Sequence, residues 1–169
     1  MKGRSKKRAK KAPALTHVDA RGHARMVDVG GKPKTARVAR ARALVRMLPE
    51  TLARLASGDT PKGDVLAVVR VAAIQAAKRT SEWIPLCHPL ALTKVSVDVA
   101  LGAKDTVTIE ATVETTDRTG VEMEAMVAAS AGALTLYDML KGIDRAITFD
   151  VALLEKRGGK SGYVARSVP

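Results

Sequence analysis

One apolar stretch of this sequence carries acids and a base that its pattern does not otherwise require. Between residues 119 and 141, small and apolar residues recur at three- and four-residue steps, which predicts a helix with one buried face. Glu124, Asp138 and Lys141 lie within it. Carboxylates and amines at such positions can move protons to and from a bound substrate. The stretch is therefore a candidate for acid–base chemistry as well as for packing.

The spacing of the two acids limits how they can act together. On one unbroken helix, Glu124 and Asp138 are about 21 Å apart, at a rise of ~1.5 Å per residue. Their directions differ by only about 40°. They share a face of the helix but cannot meet in one small-molecule pocket within one chain. If both serve one site, a second chain must supply one of them, which predicts a site at a subunit interface.

The start of this helix has its own signal. Thr119 as N-cap and Glu122 three residues later form the pattern of a capping box. This pattern accounts for Glu122 without any functional role, whereas Glu124 and Asp138 stay unexplained.

Cys87 and His88 lie between two prolines, in an apolar segment. Adjacent residues of an extended segment alternate sides, so these two cannot easily work as a pair. We interpret Cys87 as a structural thiol, while the fixed backbone of His88 would suit a polar ligand. A single cysteine excludes an internal disulfide, and His17 and His23 are isolated, so no metal site is predicted.

Two basic residues stand out by position. Lys62 precedes a predicted helix, where backbone amides attract anions, although composition alone favours an ordinary surface lysine. Arg37 falls on the apolar side of a predicted strand, where an unpaired guanidinium would be costly. Arg37 either lies beyond the edge of the core or has an anionic partner, and we favour the partner.

Composition predicts a single globular domain. The 169 residues are 46% hydrophobic but only 2% aromatic, so the core must come from aliphatic residues. The scarcity of aromatic rings disfavours a surface that stacks nucleic-acid bases. The net charge is +12, but seven basic side chains fall within residues 1–12. We predict a basic disordered tail over 1–14 and one domain over 15–169, with a nucleic-acid or membrane arm as the alternative for the tail.

No segment has the pattern of a secretory signal or the length of a membrane span, which predicts a cytoplasmic protein, with a short transit peptide as the alternative.

Periodicity predicts short strands over 15–19 and 24–29, and a strand over 34–47 for which a helix is the alternative. It further predicts helices over 49–56 and from 65 to 79, an extended segment over 83–90, and a hairpin of 95–99 with 107–113. After the long helix come a strand over 146–154 and a mobile, glycine-rich end over 156–162. Strands paired around two helices predict an α+β layer.

Several blocks of the sequence together resemble the cyclic pyranopterin monophosphate synthase family, also called molybdenum cofactor biosynthesis protein C. The resemblance covers about residues 15–162, with the blocks in the same order. They are Met26–Val29, Lys62–Val65, Ile74–Lys78, Ile84–Leu90, Thr119–Ala125, Tyr137–Met139 and Lys156–Gly162. The family commonly has Gly-Lys where this chain has Asp117 and Arg118, so the turn into the long helix can differ.

The resemblance implies a single-domain, ferredoxin-like antiparallel sheet with helices packed on one face. It implies a homohexamer built as a trimer of dimers, with active sites at the dimer interface. The implied substrate is (8S)-3′,8-cyclo-7,8-dihydroguanosine 5′-triphosphate, and the products are cyclic pyranopterin monophosphate and pyrophosphate. No membrane, specific nucleic acid, resident metal or cofactor is expected, although Mg²⁺ can accompany the triphosphate.

The resemblance also implies roles for individual residues. The expected catalytic residues are Asp138 and Lys62, and Lys141 matches a further lysine of the family. From the chemistry of the reaction we assign Lys62 as general acid and Lys141 as general base, with the reverse assignment as the alternative, and expect crowded cations to lower the pKa of a lysine. The expected substrate contacts are Leu86, Cys87, His88, Met123, Glu124 and the adjacent Glu122, with Arg37 and Lys156 near the triphosphate. The competing function is a nucleic-acid-binding module that uses the basic tail, followed by a non-catalytic nucleotide sensor.

Overall fold

A strand, three helices, two strands, a long helix and two further strands follow one another along the chain. The computed structural model describes residues 18–19 and 21–166. The elements are β1 (Thr35–Arg46), α1 (Pro49–Ser57), α2 (Val65–Lys78), α3 (Thr80–Trp83), β2 (Leu92–Leu101), β3 (Thr106–Asp117), α4 (Glu122–Leu140), β4 (Thr148–Arg157) and β5 (Val164–Ala165).

The strands form one antiparallel sheet in the order β2-β3-β1-β4-β5. The first four strands and the helices between them make two interleaved β–α–β halves, with β1 between β3 and β4. This is the ferredoxin-like topology, to which β5 adds a short edge strand. The predicted α+β class and the ferredoxin-like sheet are confirmed.

The core lies between the sheet and the helices on one of its faces. Alternate residues of the two central strands are fully buried on that face: Ala39, Ala41, Ala43 and Val45 of β1, and Val107, Ile109, Ala111 and Val113 of β3. The intervening residues, such as Arg40 and Glu110, form an ion pair on the opposite face at 3.9 Å. Because every second residue is buried, residues 35–46 form a strand rather than a helix.

Small residues let α4 approach both the sheet and α2 closely. A Cβ atom added at Gly132 would lie 3.1 Å from Ile109 Cγ2 and 3.6 Å from Ala73 Cβ. Ala125, Ala128, Ala129 and Ala133 of the same helix are fully buried. Neighbouring elements therefore pack close to the backbone of α4 along most of its length and hold it in place.

Three local predictions were wrong. Residues 24–29 form no strand, since only Ala24 pairs, in an isolated bridge with Val18. Residues 15–17 lie outside the described part of the chain. Helix α4 begins at Glu122 after Val121, which makes no side-chain cap, so Thr119 and Glu122 form no capping box. The extended segment predicted from residue 83 begins later, because Thr80–Trp83 is a short helix.

The other predicted elements match within a few residues, and the hairpin is the β2–β3 pair. Lys156 and Arg157 belong to β4 rather than to a glycine-rich end. The predicted basic tail over 1–14 falls outside the described residues. Across residues 18–19 and 21–166, no helix combines the length and the apolar character needed to cross a membrane.

The close packing at Gly132 predicts a large effect of a β-branched side chain there. Gly132→Val should lower the free energy of unfolding by about 1–3 kcal/mol, because its atoms must displace Ile109 or Ala73. Urea denaturation measures this change. Gln75→Val, at an exposed position of α2, introduces the same residue and should cost less than about 1 kcal/mol. Equal costs at the two positions would contradict the close approach.

Candidate active site

Asp138 lies between two lysine ammonium groups at the carboxyl-terminal end of α4. Lys62 Nζ is 2.8 Å from Asp138 Oδ2, and Lys141 Nζ is 2.6 Å from Asp138 Oδ1. Lys62 Nζ also donates to the main-chain carbonyl of Asp138 at 2.9 Å. The three side chains are about half exposed, at 46%, 54% and 51% for Lys62, Asp138 and Lys141. We call Lys62, Asp138 and Lys141 the acid–lysine cluster.

Local structure explains why these three side chains meet. Lys62 lies in the loop before α2, which turns at Gly63 with a φ of 79°. The same loop ends at Asp64, whose side chain caps α2 by accepting from the Ala67 amide at 3.0 Å. Lys141 lies three residues after Asp138, and this spacing places the two on one side of the last helical turn.

The cluster fixes the protonation of its members. Hydrogen bonds from Lys141 and Lys62, together with their charges, lower the pKa of Asp138 to about 2. The hydrogen bond and charge of Asp138 raise the pKa of Lys141 above its ordinary value. The expected lowering of a lysine pKa is thus wrong for Lys141 in the single chain, because the nearby carboxylate outweighs repulsion between the cations. Lys141 could act as a base only after losing this contact.

A cavity of about 390 Å³ lies at the other end of α4. Three segments of the chain line it, around residues 27–32, 86–90 and 119–124. Six predicted substrate contacts meet there: Leu86, Cys87, His88, Glu122, Met123 and Glu124. We call this cavity the pocket.

Glu124 is the most deeply buried acid of the pocket, with 3% of its surface exposed. Burial raises its pKa to about 7, its own backbone hydrogen bond opposes this, and the charge of Glu122 adds to the rise. Burial, followed by the charge of Glu124, raises the pKa of the Cys87 thiol. A thiol that holds its proton fits the interpretation of Cys87 as a non-nucleophilic residue.

Lys156 does not itself line the pocket, but a β-bulge brings it to Glu122, which does. The pairing of β1 with β4 shifts register between Arg40 and Ala41, so Lys156 pairs with the buried Ala39 and takes the helix-facing side. There Lys156 Nζ lies 3.2 Å from Glu122 Oε1, and it also contacts the Ser161 hydroxyl. The Glu122 carboxylate therefore pairs with Lys156, whereas the capping-box prediction had paired it with the backbone at the start of the helix.

Arg37 lies at the same end of the sheet but does not line the pocket. Its guanidinium donates to the carbonyls of Asp117 at 2.8 Å and Arg118 at 3.0 Å. Among the described residues, the hydrogen-bond partners of Arg37 are therefore backbone carbonyls rather than a carboxylate, while its predicted place near the triphosphate stays a prediction. Arg37 supports the connection between β3 and α4.

Sequence reasoning missed several residues of the pocket. Val27, Val29, Lys32, Leu90, Thr119 and Gly120 also line it. A Cβ atom added at Gly120 would lie 1.8 Å from Glu122 Oε2, so any other residue there would displace this carboxylate from its present position. A glycine immediately before a helix was the available signal. For Lys32, the sequence offered no signal other than the two glycines that precede it.

One chain does not bring the pocket and the acid–lysine cluster together. Helix α4 is continuous over 19 residues. Glu124 and Asp138 are therefore about 21 Å apart along its axis. Within residues 18–19 and 21–166, no group of three or more His, Cys, Asp or Glu side chains could hold a metal ion.

The burial of Glu124 predicts a pH-dependent cost of folding. Because its pKa is raised from 4.5 to about 7, the folded chain binds more protons than the unfolded chain between these values. Wild-type stability should therefore fall relative to Glu124→Gln as pH rises from 4.5 to 7, and the difference should be constant above 7. Its upper limit is about 3 kcal/mol. Urea denaturation at pH 4.5, 6, 7 and 8 measures it, with exposed Glu82→Gln as the control. Parallel pH profiles for wild type and Glu124→Gln would contradict the shift.

Comparison with known proteins gives a consistent result. A family model described as "MoaC family" matches residues 26–159. The chain is 62% identical over 150 residues to a "Cyclic pyranopterin monophosphate synthase" of Thermomicrobium roseum, covering 88% of this chain and 90% of that protein. It is 61% identical over 150 residues to a protein of the same name from Roseiflexus sp., covering 88% and 95%. The chain belongs to the MoaC family.

Proposed function

We propose that this protein is a lyase of molybdenum cofactor biosynthesis. It converts (8S)-3′,8-cyclo-7,8-dihydroguanosine 5′-triphosphate to cyclic pyranopterin monophosphate and releases pyrophosphate. The observation that carries the proposal is the acid–lysine cluster, in which one carboxylate holds two amines within 2.8 Å. Family membership identifies the reaction that such a cluster would serve. A substrate derived from GTP fits a cytoplasmic enzyme.

Each group of residues has a task in this reaction. Rearrangement of the guanine ring requires protons to move on and off nitrogen and carbon, which lysines paired with an anionic aspartate can do. Lys62 is assigned as general acid. Lys141 is assigned as general base, and since its pKa is raised by Asp138, the substrate must first separate the two.

The phosphate groups need a different environment. Closing the cyclic phosphate expels pyrophosphate, so cations must stabilise the charge that develops on the leaving group. Lys156 at the pocket edge supplies one such cation, and Arg37 supports the adjacent turn. No resident cofactor is assigned, although Mg²⁺ can enter with the triphosphate.

The charge pattern of the sheet disfavours the alternative of a nucleic-acid-binding module. Arg40 lies 3.9 Å from both Glu110 and Glu155, and Arg46 lies 2.8 Å from Asp150. These arginines are already matched by carboxylates, whereas a nucleic-acid surface needs cations that phosphates can reach. The basic tail would remain as the main contact, and its deletion would test that contact.

Direct assay distinguishes the two functions. Given the cyclised nucleotide, the wild-type protein should release pyrophosphate, while Asp138→Asn should be slower by about two orders of magnitude or more, since it loses the anion that holds both lysines. Asp138 is half exposed, so the variant should keep its fold by circular dichroism. Exposed Asp59→Asn provides the matched control. A fully active Asp138→Asn protein would refute the assigned role.

We further propose that two chains share each active site. The side of α4 away from the sheet carries a stripe of partly or largely exposed residues at helical spacing: Met123, Met126, Ser130, Leu134 and Tyr137. Leu134 is 49% exposed. The stripe runs from the pocket to the acid–lysine cluster. A second copy packed antiparallel on it would bring the pocket of one chain to the cluster of the other.

This arrangement fits a closed two-fold dimer. Three such dimers would form the hexamer that the family resemblance implies. Each dimer would then contain two complete sites, and neither site could form within one chain.

Subunit exchange tests the shared site. Glu124→Ala and Asp138→Ala proteins should each be inactive alone. After mixing, half of the dimers should be mixed, and each mixed dimer should contain one site with both wild-type residues. Activity should recover to about a quarter of the wild-type value. Background activity after exchange, verified by mass spectrometry of tagged chains, would exclude the shared site.

A further inference from the structure

The pocket wall formed by residues 24–32 has few attachments to the rest of the fold. This segment, which we call the pocket segment, contributes Val27, Val29 and Lys32 to the lining and contains no helix or regular strand. Its own hydrogen bonds are local, from Gly30 to Asp28 Oδ1 at 2.8 Å and from the Lys32 amide to the Val29 carbonyl at 3.0 Å. Local bonds of this kind shape a loop but do not fix its position.

One hydrogen bond ties the pocket segment to the domain. Arg118 Nε donates to the carbonyl of Lys32 at 3.1 Å. Among the residues that the structure describes, no other hydrogen bond or ion pair joins residues 24–32 to the elements from β1 onward. Arg118 is therefore the polar connection between this wall of the pocket and the rest of the domain, as far as the described residues go.

Hydrogen bonds with Arg37 and Asp117 hold the main chain at Arg118 in position. The Arg37 guanidinium holds the carbonyls of Asp117 and Arg118, and Asp117 Oδ1 accepts from the Arg118 amide at 2.8 Å. The Arg37 guanidinium is packed in turn against Gly159, where an added Cβ would lie 2.2 Å from its Nη1. The next residues of the chain, Thr119 and Gly120, line the pocket. The position of Arg118 is thus set by β1 and by the start of α4.

We propose that Arg118 is a positioning residue that holds the pocket segment in place for substrate binding. It joins two walls of one cavity, the turn into α4 and the segment that carries Val27, Val29 and Lys32. The inference rests on the proposed function for its kinetic effect but not for its structural effect. Loss of the tie removes none of the contacts within the acid–lysine cluster, because Arg118 takes part in none of them.

The test compares Arg118→Met, which removes the donor and the charge, with Arg118→Lys, which keeps a charged donor. In Arg118→Met, KM should rise about three- to tenfold, the loss expected for one solvent-exposed hydrogen bond, and kcat should change by less than about twofold. Arg118→Lys should restore KM to within about twofold of wild type. Arg70→Met, at an exposed position of α2, controls for the loss of one positive charge.

Hydrogen–deuterium exchange of the unliganded protein provides the second measurement. Amides of residues 27–32 should exchange faster in Arg118→Met, while those of α4 stay unchanged. A raised KM without faster exchange would overturn the proposal, because Arg118 would then act on the substrate directly. Unchanged exchange and unchanged KM would overturn it as well. If the wild-type protein released no pyrophosphate, the proposed function would fail, yet the exchange result would still decide whether Arg118 holds the segment.

Discussion

The close packing of α4 against the sheet is the constraint on which the rest of the structure depends. Gly132 and the buried alanines let the helix backbone approach Ile109 of β3 and Ala73 of α2. Close packing of this kind leaves little room for movement, so the helix is fixed in position against its neighbours. Everything placed at its two ends is then held at a fixed separation, which is too long for one small ligand to span.

The same helix gives the two acids proposed for the site opposite electrostatic properties. Asp138 is exposed and held by two ammonium groups, so its pKa falls to about 2. Glu124 is buried beside another carboxylate, so its pKa rises to about 7. Environment rather than residue type separates a permanent anion from an acid that titrates near neutrality. In a shared site these two acids would face one substrate from different chains, and each would contribute a different protonation state.

Irregular backbone features complete the pocket end. The bulge in β4 turns Lys156 towards the helices, and Gly120 makes room for the Glu122 carboxylate that Lys156 binds. Arg37 then holds the turn into α4, and Arg118 holds the pocket segment, residues 24–32. Regular strands and helices form the frame of the domain, while one bulge, one glycine and two arginines arrange the residues around the cavity.

Period and composition were enough to determine the α+β class, the main elements and the separation of Glu124 from Asp138, because these depend on repeat distances within single elements. The sequence blocks also indicated the family and half of the residues that line the pocket. Only the tertiary structure decided that Glu122 pairs with Lys156 instead of capping α4, that carbonyls satisfy Arg37, and that Asp138 raises the pKa of Lys141. Each of these outcomes depends on contacts between residues distant in sequence or on competition between partners. Local pattern carries no information on such contacts, since the sheet register and one bulge decide which side chains meet.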